Sequence, residues 1–173
     1  SIDLGYGGSI SLSGSSTIIN TIIGSGNSIS NEGILNISYS LIEDGENSIT
    51  TPLGASTTWG DGNISQPPIL NDSDDLSLSI YSPSIGAGAD SIEAYNTWYY
   101  APTTDIEGNS RPNPAGSNPD MGAYENALGT PLHNSFIHVV TTGNDSASVG
   151  LSTGPFATIQ AGIDYSLDGD TVL

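Results

Sequence analysis

Isoleucine and leucine alternate with serine, asparagine and threonine along much of the first fifty residues. Alternation of apolar and polar positions over short stretches is typical of half-buried β-strands. The segments 9–11, 28–30 and 48–50, each with isoleucine in the middle, recur 19 and then 20 residues apart. Short strands with this period cannot bury an apolar face alone and stack on their neighbours. The pattern predicts an all-β fold, a parallel β-helix (β-solenoid), with Ile10, Ile29 and Ile49 in one inward column.

The repeat fades after Thr50. The segment 76–81 still alternates and is expected to be one of the last strands, so residues 1–81 are predicted to be the last rungs of the β-helix. Residues 82–126 are rich in proline, glycine, asparagine and aromatic residues. An irregular aromatic segment of this kind suits the open end of a solenoid, which exposes apolar side chains and unpaired backbone. We interpret 82–126 as a C-terminal cap and 127–135 as a linker.

The character of the chain changes again after the linker. A strand is predicted from Phe136, a turn at 142–145, and one short capping α-helix over 156–167, with Pro155 at its start. Ile159, Ile163 and Leu167 recur every four residues and predict its buried face. A strand over 171–173 follows. Residues 136–173 are therefore interpreted as the N-terminal cap and first strand of a following β-helix.

The charge balance excludes several partners. The chain has 19 acidic residues against one Lys or Arg, giving a net charge of −18. A nucleic acid or an anionic membrane requires a basic surface, so neither is expected as a partner. Divalent cations are the natural counter-charge. Cysteine is absent from the sequence, which removes disulfides and thiolate metal sites.

Two further features concern the origin of the chain. No stretch approaches the length of a membrane-spanning helix, and no signal peptide opens the sequence. The sequence already has strand character near Ser1. We expect an internal fragment of a longer, exported protein.

Three segments, 82–88, 104–112 and 120–125, resemble the closing segment of secreted bacterial right-handed parallel β-helix proteins of the pectate-lyase-like superfamily. Residues 137–173 resemble the opening of the same type of domain, with a Thr-Gly-Asn-Asp turn and a Gly-Pro-Phe-Ala-Thr-Ile-Gln helix start. The resemblance implies that one β-helix ends near Asn126 and another begins near Phe136, within a long extracellular surface protein.

Catalysis is not expected. A lyase acting on uronates needs a basic residue and calcium, and a glycosidase needs two carboxylates at a defined separation. With Arg111 as the only Lys or Arg, an anionic substrate would meet a repulsive surface. His133 and His138 have no nucleophilic partner in a recognisable motif and are expected to be structural or solvated. Catalytic residues are therefore predicted to be none, and a polysaccharide lyase or hydrolase is the least favoured function.

Acidic clusters leave calcium open as a cofactor; otherwise no cofactor is expected. Asp105, Glu107 and Asn109 place three oxygen ligands at alternate positions, and Asp72 with Asp74 offers a second cluster. Common exposed acidic turns are the alternative explanation. Arg111 is expected to pair with Asp105, Asp120 or Glu125 and so to fix the cap, with Arg111 and Asp120 taken as the structural salt bridge.

The leading functional hypothesis is a non-catalytic structural module of a repetitive cell-surface or filament-forming protein. Its partners would be other copies or adjacent modules of the same protein, joined head to tail. The alternative is a carbohydrate-binding adhesin module, assisted by calcium, with polysaccharide as partner. Its candidate stacking residues are aromatic: Trp59, Trp98, Tyr99 and Tyr100.

Overall fold

The computed structural model describes residues 8–71, 76–145, 148–166 and 169–173. It is mostly β-structure, with several parallel sheets and one short α-helix. The chain divides into two compact units, Ser1–Pro131 and Leu132–Leu173. The division falls within the stretch 127–135. The predicted all-β class is confirmed at this level.

The first unit contains three parallel sheets built from strands of successive turns of chain. The strands of these sheets are β1 (Ser9–Leu12), β2 (Ser15–Ile19), β3 (Ile22–Ile23), β4 (Ser28–Asn31), β5 (Ile34–Ser38), β6 (Leu41–Ile42), β7 (Ile49–Thr50) and β8 (Ser56–Trp59). The first sheet has the order β1-β4-β7, the second β2-β5-β8, and the third β3-β6. A 3₁₀-helix, Gly45–Ser48, lies just before β7.

The register of the sheets follows the sequence repeat. Ile10 lies opposite Ile29, and Ile29 lies opposite Ile49. The predicted alignment of these three isoleucines is therefore confirmed. A second apolar column runs through the next sheet, where Ile37 lies between Ile18 and Trp59.

The core of the first unit lies in the middle turn. Ile29, Leu35, Ile37 and Ile42 are almost completely buried, because the turns on either side cover them. The residues of the outer turns that pack on them are only partly buried: Ile10, Leu12, Ile18, Ile49 and Trp59. Full burial of an isoleucine stabilises a fold by about 1.5–3 kcal/mol. The middle turn therefore contributes most to the hydrophobic stabilisation of these sheets.

Close backbone contact and buried amides hold successive turns together at the corners. A Cβ on Gly33 would lie 2.1 Å from the carbonyl oxygen of Gly14, so only glycine fits at that corner. The buried amide of Asn31 donates to the backbone carbonyl of Ser56 at 2.8 Å and to Oγ1 of Thr57 at 3.0 Å. Asn31 thereby joins the second turn to the third.

Residues 76–131 are largely irregular, apart from one hairpin of β9 (Ser91–Ala94) and β10 (Thr97–Tyr100). The strand expected over 76–81 is not formed. Leu78 makes only an isolated antiparallel bridge with Leu70, because the chain turns immediately afterwards.

The second unit has a small parallel pair of β11 (Phe136–Ile137) and β12 (Thr171–Val172), and one helix, α1 (Ile159–Tyr165). Ile137, Val149 and Phe156 form its buried apolar residues. At seven residues α1 is shorter than the predicted 156–167. It begins after Thr158, whose side chain accepts a hydrogen bond from the Ala161 amide. Within the described ranges no helix is long and apolar enough to cross a membrane.

The predicted buried face of α1 is wrong. Ile159 is 67% exposed and Ile163 is 51% exposed, while Leu167 lies outside the described residues. The helix instead packs through Gly162, where an added Cβ would lie 2.9 Å from Val139 and 3.2 Å from Val172. Glycine allows the helix to approach these strands closely, and this contact leaves the isoleucines outward.

Candidate functional site

The β9–β10 hairpin carries the largest group of exposed aromatic residues described in the first unit. Tyr95 and Asn96 form its two-residue loop, and both have positive φ angles, 51° and 61°. Two successive left-handed residues give the type I′ turn, whose twist matches that of the flanking strands. The Tyr95 hydroxyl donates to the carbonyl of Ile34 at 3.3 Å and ties the loop to β5.

The strand register assigns each side chain to one face of the hairpin. Glu93 lies opposite Trp98, and Ser91 lies opposite Tyr100. Directly opposed residues share a face, so these four form one face. Ser91, Glu93, Trp98 and Tyr100 are all exposed. The other face contains Ile92 and the buried Ala94, and Tyr99 belongs to it.

Two aromatic rings on the exposed face are arranged as neighbours. The ring centroids of Trp98 and Tyr100 are 6.4 Å apart, and the ring planes are inclined by 28°. Trp98 is 55% exposed and Tyr100 is 73% exposed. The structure therefore brings these two predicted stacking residues together on one open surface.

A groove of about 390 Å³ lies between the hairpin and the first turn of the parallel sheets. Its apolar lining includes Ile10, Leu12 and Ile18 from that turn, with Tyr99 and Tyr100 from β10. The same turn supplies β1, β2 and β3, which are edge strands of the three parallel sheets as far as the structure describes the chain. Half-buried apolar side chains and strand edges therefore meet at this end of the sheets.

Trp59 does not join the other predicted stacking residues. It ends β8, lies opposite Ile37, and packs against the core cluster. Its position in the inward column explains this, because the residues of that column face the interior of the stack. We therefore assign Trp59 to packing.

The only arginine of the chain is buried in an ion pair. Arg111 Nε lies 2.5 Å from Glu125 Oε2, and the Arg111 guanidinium also donates to the carbonyls of Gly122 and Tyr124, each at 3.0 Å. The carboxylate partner is thus Glu125 rather than Asp120. The two carbonyl contacts hold the loop 122–125 against the Arg111 guanidinium, and Glu125 at the end of this loop pairs with it.

Asp120 is fully buried and serves a different purpose. Its carboxylate accepts hydrogen bonds from the amides of Gly86, at 2.7 Å, and Asn126, at 2.6 Å. Burial raises the pKa of Asp120 to about 6, assisted by the charge of Glu125, while the two amide hydrogen bonds and Arg111 oppose the rise. Asp120 joins segment 82–88 to segment 120–125.

Asp105 is committed to its own loop. Its carboxylate accepts from the amides of Glu107, Asn109 and Glu125, and from the side-chain amide of Asn109, at 2.8 to 3.1 Å. Burial acts to raise the pKa of Asp105, but these hydrogen bonds outweigh it and the pKa lies below its usual value. Four N–H donors occupy the lone pairs that calcium would need.

The other predicted calcium ligands fall into two groups. Glu107 and Asn109 lie in the same loop and are exposed. Asp72 and Asp74 lie outside the described residues. Among the residues that are described, no group of three or more His, Cys, Asp or Glu side chains is placed to hold a metal ion. Calcium binding therefore stays a prediction.

The two histidines both lie in the second unit. His133 Nε2 is 2.5 Å from Asp170 Oδ2, and its ring stacks on Tyr165 with centroids 5.2 Å apart. The backbone of His138 bonds to Gly150 and Phe156. Both residues are therefore integrated into the packing of this unit.

Comparison with known proteins does not assign the chain to a family. No family model matches it, and no curated protein or solved structure is significantly similar to it. Its function must therefore be argued from its own residues.

Asn20 is a structural residue that the sequence analysis missed. Its side-chain amide donates to the carbonyl of Ala89 and accepts from the amide of Ala89, both at 2.8 Å. Asn20 has a φ of 49°, and the equivalent corner residue of the next turn, Tyr39, has 50°. Asparagine tolerates this left-handed conformation better than most residues. An asparagine between two predicted strands was therefore the sequence feature that could have indicated this corner.

Proposed function

We propose that residues 8–64 are successive turns of a right-handed parallel β-helix and that 82–126 close it. The second unit would open a further domain of the same type, as in secreted pectate-lyase-like surface proteins. In this proposal the chain is a non-catalytic structural module of an extracellular, cell-surface or filament-forming protein. We propose a right-handed β-helix because crossover connections between parallel strands are almost always right-handed.

The register of the parallel strands supports the β-helix. Ile10 and Ile29 are 19 residues apart and Ile29 and Ile49 are 20 apart, which is one turn of chain per step. A parallel bridge from Leu41 to Ile64 extends the third sheet by one more turn. Each sheet therefore grows in the same direction, as stacked rungs do.

The observation that carries the functional proposal is the shared end of the three sheets. Among the residues that the structure describes, strands β1, β2 and β3 belong to one turn, and each is an edge strand of its sheet. Parallel edge strands beside half-buried isoleucines favour the addition of another strand layer. A contact that adds one end to another without closing a ring builds a rod.

Two observations support a non-catalytic role. Arg111, the only Lys or Arg of the sequence, is buried against Glu125. Asp120, whose pKa is raised to about 6, is also fully buried. A lyase or glycosidase for anionic sugars would need such groups at an accessible surface.

Small-angle scattering and sedimentation over a range of protein concentrations test the proposal. We expect elongated assemblies that grow with concentration. Ile10→Lys places a charge in the inward column at the open edge and is expected to leave monomers. Ser11→Lys adds the same charge on the outward side of β1 and is the matched control, for which assembly should persist.

Both variants must first show the wild-type tryptophan fluorescence, to which Trp59, packed on the same core, contributes. Compact wild-type monomers at every concentration would overturn end-to-end assembly. Equal assembly of both folded lysine variants would show that the β1 edge is not the contact.

A further inference from the structure

We propose that the exposed face of the β9–β10 hairpin is a binding site for an uncharged polysaccharide chain. Its residues are Ser91, Glu93, Trp98 and Tyr100. This inference differs from end-to-end assembly in the ligand that is bound. Tyr100 also lines the groove beside the first turn, whereas Trp98 does not.

The exposure of strand β10 is the first observation. All four of its residues, Thr97 to Tyr100, are exposed, and three of them are aromatic. Aromatic side chains contribute large apolar areas when they are buried. A contiguous aromatic surface that is left open on a folded unit marks a place where something else binds.

The geometry of the two rings suits sugar units. The rings of Trp98 and Tyr100 stack, with planes inclined by 28° and centroids 6.4 Å apart, and form one joined aromatic surface. An extended chain of pyranose rings presents flat C–H faces one after another. A sugar ring of such a chain can therefore pack its C–H face against this aromatic surface.

Polar groups flank both rings. In the strand register Glu93 lies opposite Trp98, and Ser91 lies opposite Tyr100. A carboxylate accepts hydrogen bonds from sugar hydroxyls, and a serine both donates and accepts. Aromatic surface with a few polar groups beside it is the usual composition of a small-molecule site.

The charge of the chain selects an uncharged ligand. The net charge is −18, and Arg111 is buried. Glu93 lies within the exposed face itself. A polyuronate, a sulfated glycan or a nucleic acid would be repelled, whereas a neutral glycan carries no such cost.

The hairpin is held in place before a ligand arrives. Its type I′ loop is tied to Ile34 through the Tyr95 hydroxyl. The amide of Ala101 donates to the carbonyl of Asp90 at 2.8 Å, which closes the base of the hairpin. A fixed strand loses little conformational freedom on binding, and this favours affinity.

Affinity electrophoresis of the full chain tests the proposal, with hydroxyethylcellulose, xylan, laminarin and polygalacturonate as probes. We expect retardation by at least one neutral polysaccharide and none by polygalacturonate. Trp98→Ala should weaken binding by about tenfold or more, and Tyr100→Ala should weaken it as well. Leu53→Ala, which removes a fully exposed apolar side chain far from the hairpin in sequence, should leave binding unchanged.

Wild-type mobility unaffected by every neutral probe would overturn the proposal, as would a folded Trp98→Ala variant that binds as well as the wild type. Sedimentation of the same samples separates a protein contact from a glycan site. If Trp98→Ala dissociates an oligomer and no glycan is bound, β10 is an interface between copies and the proposal is wrong. Salt screens electrostatic attraction. If the polysaccharide still retards the protein when NaCl is raised from about 0.05 to 0.5 M, binding by aromatic stacking is supported over electrostatic adsorption.

Discussion

Arg111 Nε lies 2.5 Å from Glu125 Oε2, and both side chains are almost completely buried. Glu125 also accepts from the amides of Asn113, at 3.0 Å, and Asp120, at 3.3 Å. The pair therefore connects segments 104–112 and 120–125, while Asp120 connects the latter to 82–88 through Gly86. An irregular stretch with few strands is held in shape by buried charges and their hydrogen bonds.

Removing one member of the Arg111–Glu125 pair should destabilise the first unit. We expect Arg111→Met to lower the free energy of unfolding by roughly 3–5 kcal/mol, because Glu125 would be left buried without its partner. Denaturant titration followed by tryptophan fluorescence measures this, since Trp59 and Trp98 are the only tryptophans and both lie in the first unit.

The double variant Arg111→Met with Glu125→Leu provides the control for that experiment. Removing both charges should recover part of the loss, and the pair would then show a coupling energy. Glu107→Gln, a change at an exposed acid of the neighbouring loop, should have little effect. A single Arg111→Met variant as stable as the wild type would contradict the structural role of the pair.

The isoleucine column should show a gradient of stability. Ile29 is fully buried between Ile10 and Ile49, so Ile29→Ala is expected to cost about 2–5 kcal/mol. Ile10 is only partly buried, and Ile10→Ala should cost clearly less. Equal losses in denaturant titrations of the two variants would show that Ile10 is covered as fully as Ile29, for example by another copy.

This column is also the part of the fold that the sequence predicted best. Apolar and polar residues alternate along each strand, and the strands recur about every twenty residues. Both patterns can be read directly from the amino-acid sequence. The face of α1 was predicted incorrectly because spacing alone does not identify the packed side. Gly162, a residue with no side chain, marks the contact with Val139 and Val172.

The candidate site was predicted less completely. Trp98, Tyr99 and Tyr100 were identified as aromatic neighbours, but only the strand register shows that Trp98 and Tyr100 share a face with Glu93. Asp105, Asp120 and Glu125 were all possible partners of Arg111 from sequence, and the choice of Asp120 was wrong, because the structure pairs Arg111 with Glu125. The closure of loop 122–125 is set by tertiary contacts that no local pattern encodes.

The Asp105 loop allows a direct test of calcium against internal hydrogen bonding. Asp105→Asn keeps the size of the side chain but weakens acceptance from four N–H groups, so we expect a loss of about 2 kcal/mol. The loss should be the same with added calcium and with a chelator, as measured by thermal melting. A wild-type melting temperature that falls on chelation, with Asp105→Asn insensitive to it, would instead place calcium at this loop.

Asp120 should make stability depend on pH below neutrality. Burial raises the pKa of Asp120 to about 6, above the ordinary value of 3.8. The folded state therefore binds this proton more tightly than the unfolded state, and protonation favours folding. The contribution of Asp120 to stability is thus expected to increase as the pH falls from 7 through 6 towards 4. Between pH 7 and 5 the gain should be about 1 kcal/mol.

Other acids act in the same range, because a lower net charge reduces self-repulsion and burial also raises the pKa of Glu43. The informative quantity is consequently the difference between the wild type and Asp120→Asn, which cannot titrate at this position. Denaturant titrations at pH 7, 6 and 5 should show the wild type gaining more than the variant with each step. Parallel pH profiles for the two proteins would mean that Asp120 titrates near its ordinary value and that its carboxylate is hydrated rather than enclosed. A wild type that loses stability relative to Asp120→Asn on acidification would show the opposite, that the hydrogen bonds from Gly86 and Asn126 dominate and hold the carboxylate charged.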